Sequence, residues 1–125
     1  MNQKLNRIRQ ILVALVMIAA VEGFSSCDDY SFLPPKVDPD VTVYFQAEIQ
    51  PIFTANCVTC HGGTQYPNLK DGKSYNSLTT GGFVNAPGET SGLYVQMTSQ
   101  SHTARSTEIE KQKVLNWINQ GALNN

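Results

Sequence analysis

The sequence predicts an all-α fold, small and rich in loops, and three observations carry that prediction. Ile109, Val114, Trp117 and Ile118 fall on one side at helical spacing behind a strong helix-start signal. Tyr44, Phe45, Ile49, Ile52 and Phe53 supply a second apolar face ahead of Cys57. Between them, residues 62–92 are rich in Gly, Asn, Thr and Pro and sustain no period at all. The chain of 125 residues has room for one domain rather than two. Its formal charge of -1 gives no basic excess for nucleic-acid phosphates, so no nucleic-acid partner is expected. Only 15% of residues are charged, which suits a loop-rich globule better than a solvated helical bundle.

The chain begins with a segment that does not belong to that globule. Lys4, Arg7 and Arg9 precede an unbroken apolar run, Ile11 to Val21. A spanning helix needs about 20 apolar residues, and this run is only 11 long. It matches the apolar region of a secretory signal instead. Phe24-Ser25-Ser26-Cys27 follows at the cleavage position. Small residues directly before a cysteine resemble the lipobox of bacterial lipoproteins, in which the cysteine is lipidated. Phe24 stands where those sequences usually carry Leu, and an ordinary signal peptide or an uncleaved anchor is the alternative. Residues 1–26 thus read as a signal peptide and Cys27 as the lipidation site. The product would be exported and membrane-anchored, periplasmic or at the cell surface. Cleavage would remove three of nine basic residues and Glu22, leaving six basic and nine acidic residues.

Residues 27–41 read as a lipidated N-terminus and flexible tether. Three prolines and four aspartates between Asp28 and Asp40 forbid a helix and leave little to pack. Residues 42–125 form the domain. That length is near the limit at which burial alone stabilises a fold, a limit that a large apolar cofactor at the centre would ease.

Within the domain the elements follow in order. A short helix is predicted from Pro51 through Cys57, with an irregular turn before it, because proline is tolerated only in a helix's first turn. Short helical turns are predicted around Ser74–Leu78 and Gly92–Met97. Thr107-Glu108-Ile109-Glu110 has the form of a capping box and opens the terminal helix, which Gly121 stops.

The chemistry lies in Cys57-Val58-Thr59-Cys60-His61. The C-x-x-C-H spacing reads as a c-type haem attachment site. Two intervening residues bring both sulfurs to one side of a helical turn, within reach of the two vinyl groups of one haem. The adjacent His61 then lies under the macrocycle as the proximal iron ligand. A thioredoxin-like pair would need a strand-helix-strand pattern, which is missing here. A zinc site would need a second cysteine pair, and a disulfide across so short a loop would stabilise little. With Cys27 lipidated and Cys57 and Cys60 bound to haem, all three cysteines are accounted for.

Beyond the motif, Ile49-Gln50-Pro51-Ile52-Phe53 and Asn56-Cys57 through His61-Gly62-Gly63 resemble the opening of small bacterial class I cytochrome c domains. Pro87-Gly88-Glu89-Thr90-Ser91-Gly92-Leu93-Tyr94 is similar to their later P-G-x-x-x-S-x-L-Y stretch. Trp117-Ile118-Asn119-Gln120-Gly121-Ala122 is similar to their terminal W-I-x-x-G-A. The likeness spans residues 43–122. It implies a cytochrome c-like domain whose N- and C-terminal helices cross, with one covalent haem c packed beneath. It also implies redox partner proteins.

Such domains commonly take a distal methionine from a Met-Pro before the last helix, and this chain has no Met-Pro. Outside the leader only Met97 and His102 remain as candidate distal iron ligands. Met97 lies four residues after Leu93, where a core position is expected. His102 lies in a polar loop just before the terminal helix, about where the resemblance places the ligand. Methionine raises the potential and a second histidine lowers it, while an open sixth position would allow ligand binding or peroxide chemistry. Trp117 and Tyr75, with Lys70, Lys73 and Arg105, are candidate partners for haem propionates. Phe45, Ile49, Phe53, Leu69, Leu78, Phe83, Leu93 and Leu115 are candidate pocket walls, and Gly62 and Gly63 would turn the backbone away beside the ring.

The expected function is single-electron transfer without catalysis. A five-coordinate haem enzyme or sensor, a haem-bearing accessory module, and a zinc or dithiol protein are the alternatives.

Overall fold

The structure is a computed structural model that describes residues 2–21 and 36–125, with side chains at 3–13 and 36–125. The chain divides into two units, residues 1–32 and 33–125. In the first, α1 runs over Asn2–Val21. No helix among the described residues is long and apolar enough to cross a membrane. Cys27, the lipobox and the tether up to residue 35 lie outside the described residues.

The second unit is helical and, among the described residues, contains no strand. It begins with a π-helical turn at Phe45–Ile49, in which the Gln50 N–H donates to the Phe45 carbonyl. The wide turn has a local cause. Pro51 has no N–H, and its ring would collide with the carbonyl four residues back in a regular helix. Helix α2 (Gln50–Asn56) then starts with Pro51 in its first turn, as the sequence predicts. Cys57, at φ -121° and ψ -33°, interrupts the helix, and α3 (Val58–His61) carries the rest of the motif.

Helices α4 (Ser74–Thr80) and α5 (Gly92–Thr98) occupy the two places where helical turns are predicted. Single 3₁₀ turns lie at Gly88–Thr90 and Thr103–Arg105. Helix α6 (Glu108–Asn119) opens with both halves of the predicted capping box. The Thr107 hydroxyl accepts from the Glu110 N–H at 3.2 Å, and the Glu110 carboxylate accepts from the Thr107 N–H at 2.7 Å. Beyond α6, Gly121 (φ 98°) and Ala122 (φ 48°) reverse the chain. That reversal brings the Leu123 carbonyl to the Trp117 indole N–H at 2.9 Å.

The core centres on Phe45, whose ring packs on Trp117 at 5.1 Å, Tyr75 at 5.3 Å and Phe53 at 6.4 Å. Ile49, Leu78, Val114 and Ile118 complete its buried heart. Polar ties join the N-terminal helical segment to α6. Lys113 pairs with Glu48 at 2.9 Å, and the Asn56 amide donates to Glu110 at 3.2 Å. Residues 37–43 form a strap along α6. The Val37 N–H donates to Gln112, the Asn116 amide to the Asp38 carbonyl, and the Gln120 amide to the carbonyls of Pro39 and Val41. Residues 37–41, assigned above to the tether, are therefore bonded to the folded unit.

Candidate functional site

The Cys57–His61 segment is a single turn closed on the carbonyl of Cys57, which accepts from the N–H groups of Cys60 (3.1 Å) and His61 (2.9 Å). Cys57 and Cys60 are both free thiols, the first half-buried and the second exposed. Burial pushes the Cys57 thiol up from its usual range. The nearby Glu110 charge and Cys60 add to that effect, while Arg105 opposes it.

Next to the turn, the loop after Gly63 is anchored to α3 twice. The Leu69 N–H donates to the His61 carbonyl at 2.7 Å, and His61 Nδ1 lies 3.1 Å from the carbonyl oxygen of Pro67. A carbonyl can only accept, so Nδ1 donates, and the neutral tautomer that does so keeps its lone pair on Nε2. This is how a metal-binding histidine is usually set, with one ring nitrogen fixed by a backbone carbonyl and the other available. Glycine is required on both sides of this bend. A Cβ at Gly62 would lie 2.6 Å from the Val58 carbonyl oxygen, and Gly63 has φ +113°.

Facing the turn is a cavity of about 410 Å³, within the roughly 300–1,000 Å³ typical of small-molecule sites. Cys57, Cys60 and His61 all line it, and so do both candidate distal ligands, Met97 and His102. The His61 and His102 rings stand 6.4 Å apart, centroid to centroid, with planes inclined at 44°. Met97 comes from the inner face of α5 and is 7% exposed.

The remaining predicted residues separate clearly. Leu69, Leu78, Phe83 and Leu93 line the cavity as expected of walls. Phe45, Ile49 and Phe53 do not; they belong to the core around Trp117, where apolar character alone placed them among the walls. Leu115 also lies elsewhere, with its side chain against Gly88. Trp117 is buried and donates to Leu123, and Tyr75 packs on Phe45, so neither of these candidate propionate partners reaches the cavity. Lys70 and Lys73 are exposed and outside the lining, whereas Arg105 is in it. Arg105 is the sole formally charged side chain among the lining residues, leaving the histidines aside.

Three features escape the sequence reading. The Pro67 carbonyl holds His61, yet a backbone acceptor leaves no residue-type signal beyond a proline six positions after the histidine. Ser99 and Ser101 place hydroxyls 3.4 and 2.8 Å from His102 Nδ1. Lys111 is 3% exposed, and its ammonium reaches Glu108 at 2.7 Å and the Thr103 hydroxyl at 2.9 Å.

The site suits a covalent haem c. It pairs two thiols on one turn with a fixed imidazole whose Nε2 is free, and it adds an apolar-walled cavity and one cation for a carboxylate. A structural zinc site takes four converging protein ligands and a catalytic one three. Among the described residues no cluster of three or more His, Cys, Asp or Glu is placed to hold a metal ion. Comparison with family models, characterised proteins and solved structures gives no match to this chain.

Proposed function

We propose that this protein is a c-type cytochrome domain: an exported, lipid-anchored carrier that passes single electrons between partner proteins. The observation that carries the proposal is the convergence of Cys57, Cys60 and the Pro67-fixed His61 on one cavity. In this reading the N-terminal helical segment packs against α6, and the haem would occupy the cavity lined from α3, α4 and α5. Cys27 bears the lipid, and the resting function is transfer rather than catalysis.

Each thioether would form by addition of a cysteine S–H across a haem vinyl group. Such an addition would be redox-neutral and need no external oxidant, with Cys57 and Cys60 as the residues that would hold the group. When bound, the haem supplies a one-electron iron couple. The chain's own residues do the rest. Cys57 and Cys60 would hold the ring in the cavity, and His61 would offer Nε2 to the iron while the Pro67 carbonyl holds its other nitrogen. Leu69, Leu78, Phe83 and Leu93 exclude water from one part of the cavity, and Arg105 offers a counter-charge to a propionate.

The test is to express the full chain in a bacterial host with haem-attachment machinery, then record oxidised and dithionite-reduced visible spectra. A sharp reduced α-band whose chromophore stays with the protein through acid-acetone extraction is the expected result. A colourless protein, from cells that mature a control cytochrome, overturns the proposal. A broad high-spin spectrum would keep the haem and favour a ligand-binding or peroxide-reacting protein over a carrier.

A further inference from the structure

We propose that His102, and not Met97, occupies the sixth position of the iron, so that the site is a two-histidine centre. The inference rests on the haem reading above and deepens it. Two imidazoles bound through nitrogen on opposite sides of one metal, each about 2 Å from it, place their ring centroids about 6 Å apart. The His61 and His102 rings stand 6.4 Å apart, and both residues line the same cavity. Both rings also have Nδ1 engaged, His61 with the Pro67 carbonyl and His102 with the Ser101 hydroxyl at 2.8 Å. A hydroxyl accepts as readily as it donates, so Ser101 can accept a hydrogen bond from His102 Nδ1–H, the tautomer that leaves Nε2 for a metal.

The loop that carries His102 is held at several points. The Ser99 carbonyl accepts from the N–H groups of His102 (3.0 Å) and Thr103 (2.8 Å), and the His102 carbonyl accepts from Arg105 at 2.8 Å. Beneath it, buried Lys111 donates to the Thr103 hydroxyl at 2.9 Å and pairs with Glu108. Lys111 is thus a positioning residue for the ligand loop. Met97 has a sufficient explanation without the iron. It is one helical turn beyond Leu93, and both side chains belong to the buried core as well as to the cavity wall. A two-histidine iron has a lower potential than a histidine–methionine one, so the matching partners are low-potential donors and acceptors.

The experiment uses the mature haem-loaded protein with His102→Ala and Met97→Leu variants. Oxidised wild type is expected to be low-spin and to lack the weak far-red sulfur-to-iron band. Met97→Leu should keep that spectrum. His102→Ala should turn high-spin, and added imidazole should restore the low-spin form. A far-red band in wild type that disappears in Met97→Leu overturns the proposal while leaving the haem intact, and so does a high-spin wild type. Absence of covalent haem overturns the underlying reading, and this proposal with it. If His102→Ala fails to accumulate, the wild-type and Met97→Leu spectra decide alone.

Discussion

At the scale of single residues, buried polar groups are the most informative. Lys111 is almost fully buried, but its acidic partner Glu108 is 64% exposed at the side chain, so removing the lysine strands no buried charge. Lys111→Met should keep most of the apolar stem's packing but lose both the Thr103 hydrogen bond and the Glu108 ion pair, about 1–2 kcal/mol together. Chemical denaturation should register a loss of that size. On the proposed two-histidine centre, the same variant should raise the high-spin fraction, because Thr103 loses its tie and the His102 loop loosens. Glu48 makes a different prediction. Its carboxylate accepts from the Tyr44 N–H at 3.0 Å and from Lys113 at 2.9 Å, and those partners hold it below its usual value. A carboxyl lowered on folding contributes its full stability above its unfolded value near 4.5 and loses it as pH falls through the lower folded value. Stability should thus decline on acidification below about pH 4.5, and Glu48→Gln should flatten that limb. At neutral pH the same substitution should cost about 0.5–1 kcal/mol, read from urea titrations at several pH values.

At the scale of elements, the start of α6 was open to sequence reading because its signal is local. A threonine three residues before a glutamate satisfies two backbone donors that any helix start leaves free, whatever the rest of the fold does. Thr107→Ala should cost about 1 kcal/mol in thermal or chemical unfolding. Proline in the first turn of α2 is readable for the same reason. The π-helical turn before it is not, since proline dictates a disturbance without dictating its form. Gly88 shows the opposite limit, a requirement set wholly by packing. A Cβ there would lie 2.8 Å from the Leu115 side chain and 3.1 Å from the Leu115 carbonyl oxygen. Gly88→Ala should force α6 away from the Gly88–Thr90 turn and cost about 1–3 kcal/mol.

For the folded unit as a whole, α6 is the organising element. It carries Trp117 into the core, receives the strap of residues 37–43 and anchors the loop that holds His102 through Lys111. Gln120 concentrates the strap's bonds: its carbonyl accepts from Val43, and its amide donates to Pro39 and Val41. Gln120→Ala should release the strap with a loss of about 1–2 kcal/mol. Hydrogen–deuterium exchange should show it as faster exchange at the Val43 amide, with amides of α5 unaffected.

The sequence alone determined the helical class, the positions of the short helices, the capped start of α6 and the single turn from Cys57 to His61. All of these depend on hydrogen bonds and side-chain periods spanning about five residues, so local chemistry suffices. The tertiary structure alone decided which apolar side chains face the cavity. Leu69, Leu78, Phe83 and Leu93 do, while Phe45, Ile49 and Phe53 surround Trp117 instead, though nothing in their composition separates the two groups. It also decided that the Pro67 carbonyl fixes His61 and that His102 comes to line the same cavity, its ring 6.4 Å from that of His61. Those relations close loops of six to about forty residues. Their geometry is set by how the helices pack at either end, which no local pattern encodes.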